Sequence, residues 1–182
     1  MPWIIVGAVV LVILMYVMGT YNSLVRAKNK AKGEWAQIDV QLKRRIDLIP
    51  NLVETVKGYA AHEKDTLEAV IKARNTALTA ATPEEEIASA GEVSQALSRL
   101  LMLTESYPEL KANENFKDLQ ENLKDSEDKI AYARQFYNDS AKSYVNLVEM
   151  FPSNIVAMIF GFKAMPFFEV TGADREVPKV KF

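Results

Sequence analysis

From Trp3 to Gly19 the chain reads WIIVGAVVLVILMYVMG, seventeen residues without a charge and with almost no polar atom. A lipid-crossing helix needs ~17–25 such residues at 1.5 Å rise each, and Thr20 and Tyr21 extend this run to that length. Trp3 at one end and Tyr16 and Tyr21 at the other have the placement of an aromatic belt. A cleaved signal would carry a basic n-region, a shorter apolar run and small residues before the cut, none of which is present. The expectation is an uncleaved anchor over residues 1–21. Whatever follows must be built from the end of that helix.

Four cations, Arg26, Lys28, Lys30 and Lys32, come just past the run. By the positive-inside rule they favour a cytoplasmic body and a translocated N-terminus, and they suit anionic lipid headgroups as a partner. Between Arg26 and Lys57 basic residues outnumber acidic ones eight to four, although the whole chain has a net charge of −2. A basic stem therefore precedes an acidic body.

Beyond the anchor a strict 3-4 alternation runs through Tyr21, Leu24, Lys28, Ala31, Trp35, Ile38, Leu42, Arg45, Ile49, Leu52, Val56 and Tyr59. This is the seam of a coiled coil or helical bundle. Leu67, Val70, Ile71, Arg74 and Leu78 keep one face apolar with the single exception of Arg74, so the first helix is expected to continue to about Ala81. Thr82-Pro83-Glu84-Glu85 is a capping box with proline at N1; it starts a second helix that Pro108 ends. A third helix starts near Asn113 with Phe116, Leu119, Leu123, Ser126, Ile130, Ala133, Tyr137, Ser140, Tyr144, Leu147 and Phe151 on its seam, and Pro152 closes it. Period-2 strand patterns are absent, so the fold class is all-α: one N-terminal transmembrane helix continuing into an elongated antiparallel bundle of three or four helices with coiled-coil-like packing. The body is expected over residues 22–152. On this plan the second helix returns toward the membrane, the third climbs back beside the first, and the chain end lies far from the bilayer.

Three residues interrupt the first seam. Arg44, Arg45 and Pro50 are read as structural or oligomer-setting, because charged seam residues fix register and partner number. Arg45 calls for a carboxylate, with Glu121, Asp125 or Asp128 as candidates. Pro50 frees the Ile46 carbonyl, which needs a donor such as an arginine of the same or a neighbouring chain. Lys28 is expected to be wet, at a level the later helices do not reach.

Residues 153–182 form an aromatic tail. SNIVAMIFGF begins with a serine cap and ends at a C′ glycine, Gly161, which gives a short helix before an extended PFFEV. Phe160, Phe162, Phe167 and Phe168 are candidate contact residues, either folding back to plug the bundle, joining subunits or touching the membrane.

The segments YNSLVRAKNKAKGEWAQIDVQLKRRIDLIPNLVETVKGY, ESYPELKANENFKDLQENL, IAYARQFYNDSAKSY and FPSNIVAMIFGFKAMPFFEV together resemble the LemA family over essentially the whole chain. The resemblance implies a single N-terminal span, a bacterial inner or plasma membrane location and an elongated antiparallel helical bundle. It brings no catalytic residues.

Reactive chemistry is thin. There is no cysteine and only one histidine, His62, so His62-Glu63 cannot complete a zincin motif; it is read as an exposed helix residue. Phosphate loops, nucleophile elbows and di-iron Glu-x-x-His pairs are missing, and no catalytic, cofactor-binding or metal site is expected. Nucleic acid is a poor partner for an acidic body without basic–aromatic interleaving. Two non-enzymatic functions remain. One is a membrane-anchored scaffold that self-associates through stem and tail and organises or shapes membrane. The other is a monomeric tethered adaptor presenting a helical surface to a client such as a membrane protease or transport partner.

Overall fold

A computed structural model, describing residues 2–168, turns the stem seam into one helix, α1 (Pro2–Lys57). It is followed by α2 (Lys64–Thr79), α3 (Pro83–Thr104), the single turn α4 (Pro108–Ala112), α5 (Glu114–Glu149) and α6 (Ser153–Ile159). No strand occurs among the described residues. The all-α fold and the N-terminal apolar helix agree with the sequence expectation.

Pro50 does not end α1. The carbonyl it strips of an amide partner, that of Ile46, accepts instead from Arg74 Nε on α2 at 3.3 Å. The helix ends only at Lys57, where Gly58 and Ala60 turn their amides back to Glu54 (3.3 Å) and Val56 (2.8 Å). The expected continuous helix to Ala81 is thus two helices joined by a reversal over 58–63, and His62 sits in that turn rather than on a helix. The apolar pattern hides the break because Leu67 and Val70 are buried on the returning helix as they would have been on a straight one.

One extra reversal inverts every later element. Tyr59 pairs with Asn113 at one end of α5's contact with α1, and Gln41 with Ser126 further along, so α5 runs antiparallel to α1 and not beside it in the same sense. The capping box at α3 forms as the sequence requires. Glu85 N–H donates to Thr82 Oγ1, while the Thr82 and Ala81 amides donate to Glu85 Oε2 at 3.2 and 2.8 Å.

The chain divides into two compact units whose boundaries fall within α1 and α5. The first comprises residues 38–132 with Phe168. Its core joins Ile49, Leu52 and Val56 of α1, Val70 of α2, Val93, Leu97 and Leu100 of α3, Leu110 of α4, and Phe116 and Leu123 of α5. Each such side chain, fully buried, contributes roughly 1.5–3 kcal/mol. The second unit comprises residues 2–37 and 133–167, with a small core of Leu24, Tyr144, Val156 and Ala157.

Candidate functional site

The N-terminal apolar stretch of α1 is long and apolar enough to cross a membrane, and none of it is buried within the protein. Immediately beyond it, the second unit assembles the residues that sequence reasoning had singled out at both ends of the chain. Phe160 and Phe162 lie edge-on to Tyr21, with ring centroids 4.8 and 5.6 Å away, and Lys28 Nζ stands 5.5 Å from the Phe162 centroid. The start of the tail therefore covers the stem just past the apolar run, where the expected course of the third helix would have carried it away from the bilayer; the chain end itself lies outside the described residues. Lys28 is not left wet either; Phe162 covers it, because α5 brings α6 and the tail down to its level. Arg26 donates to Ser23 Oγ at 3.3 Å, and Lys30 and Lys32 are exposed.

From Phe162 to Phe168 the chain leaves regular secondary structure and forms a strap. Two tyrosines of α5 hold it by its backbone: Tyr144 Oη donates to the Lys163 carbonyl at 2.9 Å and Tyr137 Oη to the Pro166 carbonyl at 2.6 Å. The match is metrical. Seven residues of α-helix rise about 10.5 Å, and three residues of extended chain span about 10 Å. Burial pushes the Tyr144 hydroxyl above its usual pKa. Tyr137 also stacks edge-on with Trp35, at 4.9 Å. Both tyrosines had been read only as seam residues; the overlooked signal is that a buried tyrosine needs a partner for its hydroxyl. Gly161, with φ +70°, makes the left-handed step out of α6, in keeping with its reading as a C′ glycine. Ser153 is not the cap, since Pro152 holds that place and the serine hydroxyl donates to the Met150 carbonyl. Phe167 is partly exposed and Phe168 buried; the rest of the tail lies outside the described residues.

In the other unit, Arg45 is only 2% exposed and spreads its guanidinium over Glu127 Oε2 (2.7 Å), Ser94 Oγ (2.9 Å) and the Ala90 carbonyl (3.0 Å). Its carboxylate is none of the three expected. The reversal after Lys57 brings α3 against the same face, so Arg45 points between α3 and α5. Asp125 instead meets Arg44 at 3.0 Å, and its hydrogen bond to Lys129, with Arg44 alongside, holds it below the ordinary carboxylate range. A cavity of about 140 Å³ beside Arg45 is lined by Leu42, Ile46, Ala77, Ser89 and Val93 among others. Ser89 gives its proton to the Glu86 carbonyl of its own helix, and Lys43 is tied to Asp39 at 2.7 Å, so neither is poised as nucleophile or base there. Among the described residues no group of three His, Cys, Asp or Glu side chains could hold a metal ion.

Residues 34–182 match the LemA family. The Magnetosome protein MamQ of Magnetospirillum gryphiswaldense is 26% identical over 174 residues, covering 81% of this chain and 64% of the relative. The Magnetosome protein MamQ 2 of Paramagnetospirillum magneticum is 26% identical over 175 residues, 82% of this chain and 64% of the relative. The Protein LemA of Metamycoplasma hominis is 24% identical over 162 residues, 87% of this chain and 73% of the relative. The chain thus spans just under two thirds of the MamQ proteins it matches.

Proposed function

The chain belongs to the LemA family, and from that premise we propose that it is a non-enzymatic, membrane-anchored adaptor that offers the outer surface of its helical unit to a partner protein. The observation that carries this reading is the intramolecular closure of the seam. Arg45 finds Glu127, Arg44 finds Asp125, and the Ile46 carbonyl finds Arg74, all within one chain. A charged seam completed in this way has no need of a second copy to satisfy it. Phe160 and Phe162 of the tail likewise lie against Tyr21 of the chain's own stem. What remains uncovered on the helical unit is apolar surface on separate helices, including Ile71 and Leu78 on α2 and Met102 on α3.

The same helix, α1, carries both the apolar stretch and half of the bundle seam, which supports membrane attachment of the body. The four basic residues past that stretch support a cytoplasmic body and contact with anionic headgroups. Names of relatives point to the magnetosome and to LemA, and neither denotes a reaction.

The self-associating scaffold is the competing form of the same reading, and mass decides between them. Multi-angle light scattering of the full-length protein in mild detergent is expected to return one protein chain per micelle, with any partner in fixed ratio. A large discrete homo-oligomer would overturn the adaptor and restore the scaffold.

A further inference from the structure

From Met150 to Phe162 the chain carries no charge for thirteen residues, yet much of this segment is not buried. Helix α6 has two faces. Val156 and Ala157 are sealed against Leu24 and Tyr144, while Ile155, Met158 and Ile159 point outward, the last two 77% and 69% exposed. Phe151, at the corner before α6, is 78% exposed. Outward apolar groups this concentrated need an apolar covering.

The stem supplies the level at which α6 sits. The small core that holds Val156 and Ala157 includes Val17, which belongs to the apolar run itself. Val17 precedes Gly19 and Tyr21 by two and four residues, so it lies about 3–6 Å on the lipid side of the run's end. Phe160 meets Tyr21 at that end, and Phe162 meets Lys28, about 16 Å further along α1 than Val17. The segment thus passes from the depth of Val17 outward to the depth of the lysines. Its charge pattern follows the same order: uncharged along α6, then Lys163 as the strap departs.

We propose that α6 and the Phe151 corner are a second membrane-contacting element, lying in the interface of the leaflet from which α1 emerges. Their outer side chains sit among lipid acyl chains and Lys163 stands at headgroup level. The occupant of the exposed face is lipid, because the face is continuous with a stretch of α1 that is itself lipid-facing at the same depth. An element of this kind is buried roughly 5–10 Å into the headgroup–acyl boundary. The proposal rests on α1 crossing a bilayer.

The chain has no cysteine of its own, so each introduced thiol is unique. Full-length Met158→Cys and Phe151→Cys are spin-labelled in vesicles of phosphatidylcholine and phosphatidylglycerol, with Val10→Cys as the deep reference and Lys72→Cys on α2 as the aqueous one. Accessibility to oxygen is compared with accessibility to a water-soluble nickel chelate. Both test sites are expected to favour oxygen several-fold over Lys72→Cys, and to read shallower than Val10→Cys. Readings at the two test sites equal to Lys72→Cys, with Val10→Cys still deep, would overturn the interfacial placement and leave the anchor standing. A Val10→Cys site open to the chelate would remove the anchor and this inference together. Spin–spin broadening at Met158→Cys would show a second copy on the face and overturn the choice of lipid.

Discussion

Glu127→Ala should cost more stability than Arg45→Met, although Arg45 is the more buried partner. The Arg45 side chain is 3% exposed, whereas the Glu127 side chain is 47% exposed. Removing Glu127 strands a buried cation on two neutral acceptors, Ser94 Oγ and the Ala90 carbonyl. Breaking a fully buried pair costs ~3–5 kcal/mol; partial access of water to the Glu127 side lowers this to about 1–3 kcal/mol. Arg45→Met instead restores an apolar residue to a seam flanked by Leu42 and Ile49, and releases Glu127 to water. The change should lie within about 1 kcal/mol of neutral. In the double variant the stranded charge is gone, so its loss should fall below that of Glu127→Ala alone, with a coupling of about 1–3 kcal/mol. The assay is amide hydrogen exchange of full-length protein in detergent, read across α3 around Ala90 and Ser94, with helical melting by circular dichroism alongside. Local exchange isolates the opening of this unit where a global melt need not be two-state. Additive effects, or a larger loss for Arg45→Met, would refute the account of Arg45 as a charge that must be answered.

Further tests address single contacts. Arg74→Met should lower the stability of the helical unit by about 1 kcal/mol by orphaning the Ile46 carbonyl, and should cost almost nothing in a Pro50→Ala background, where the backbone amide returns; thermal melts of the four proteins check this. Thr82→Ala should cost about 1 kcal/mol and speed exchange in the first turn of α3. Glu85 accepts the Ala81 and Thr82 amides, which hold its carboxyl below the usual range. Its contribution is therefore intact above the ordinary glutamate pKa and lost as pH falls through the depressed value, seen as faster first-turn opening in acid than in a Glu85→Gln control. Tyr144→Phe should cost about 1 kcal/mol and expose the strap, measured as faster tryptic cleavage at Lys163.

The buried line of α1 was legible from spacing alone. Leu24, Ala31, Ile38, Leu42, Ile49, Leu52 and Val56 fall on the 3-4 alternation, and all are buried. Spacing does not encode direction, however. Leu67 and Val70 satisfy the period whether the chain goes straight or doubles back, and Gly58 was the only strong punctuation at the reversal. No side-chain cap marks the start of α2 at Glu63, so the second signal was absent. From that point the sense of each later helix was inverted, and with it the place of the tail. The neighbours of Arg45 were illegible for the same cause, since only the reversal puts α3 beside it. The need at Ile46 could be read locally, because a proline inside a helix always frees one carbonyl; that the donor is Arg74 on the returning helix could not.

Tyr137 and Tyr144 grip main-chain oxygens, so the clamp gauges length and is indifferent to the exposed Ala164 side chain, while Met165 adds its own packing against the small core beneath. Substitution at Ala164 is compatible with a seated strap, whereas adding or deleting one residue between the two anchoring carbonyls moves a carbonyl by about 3.3 Å and leaves one hydroxyl empty-handed. At Ala164 the spelling is free, while the count is not.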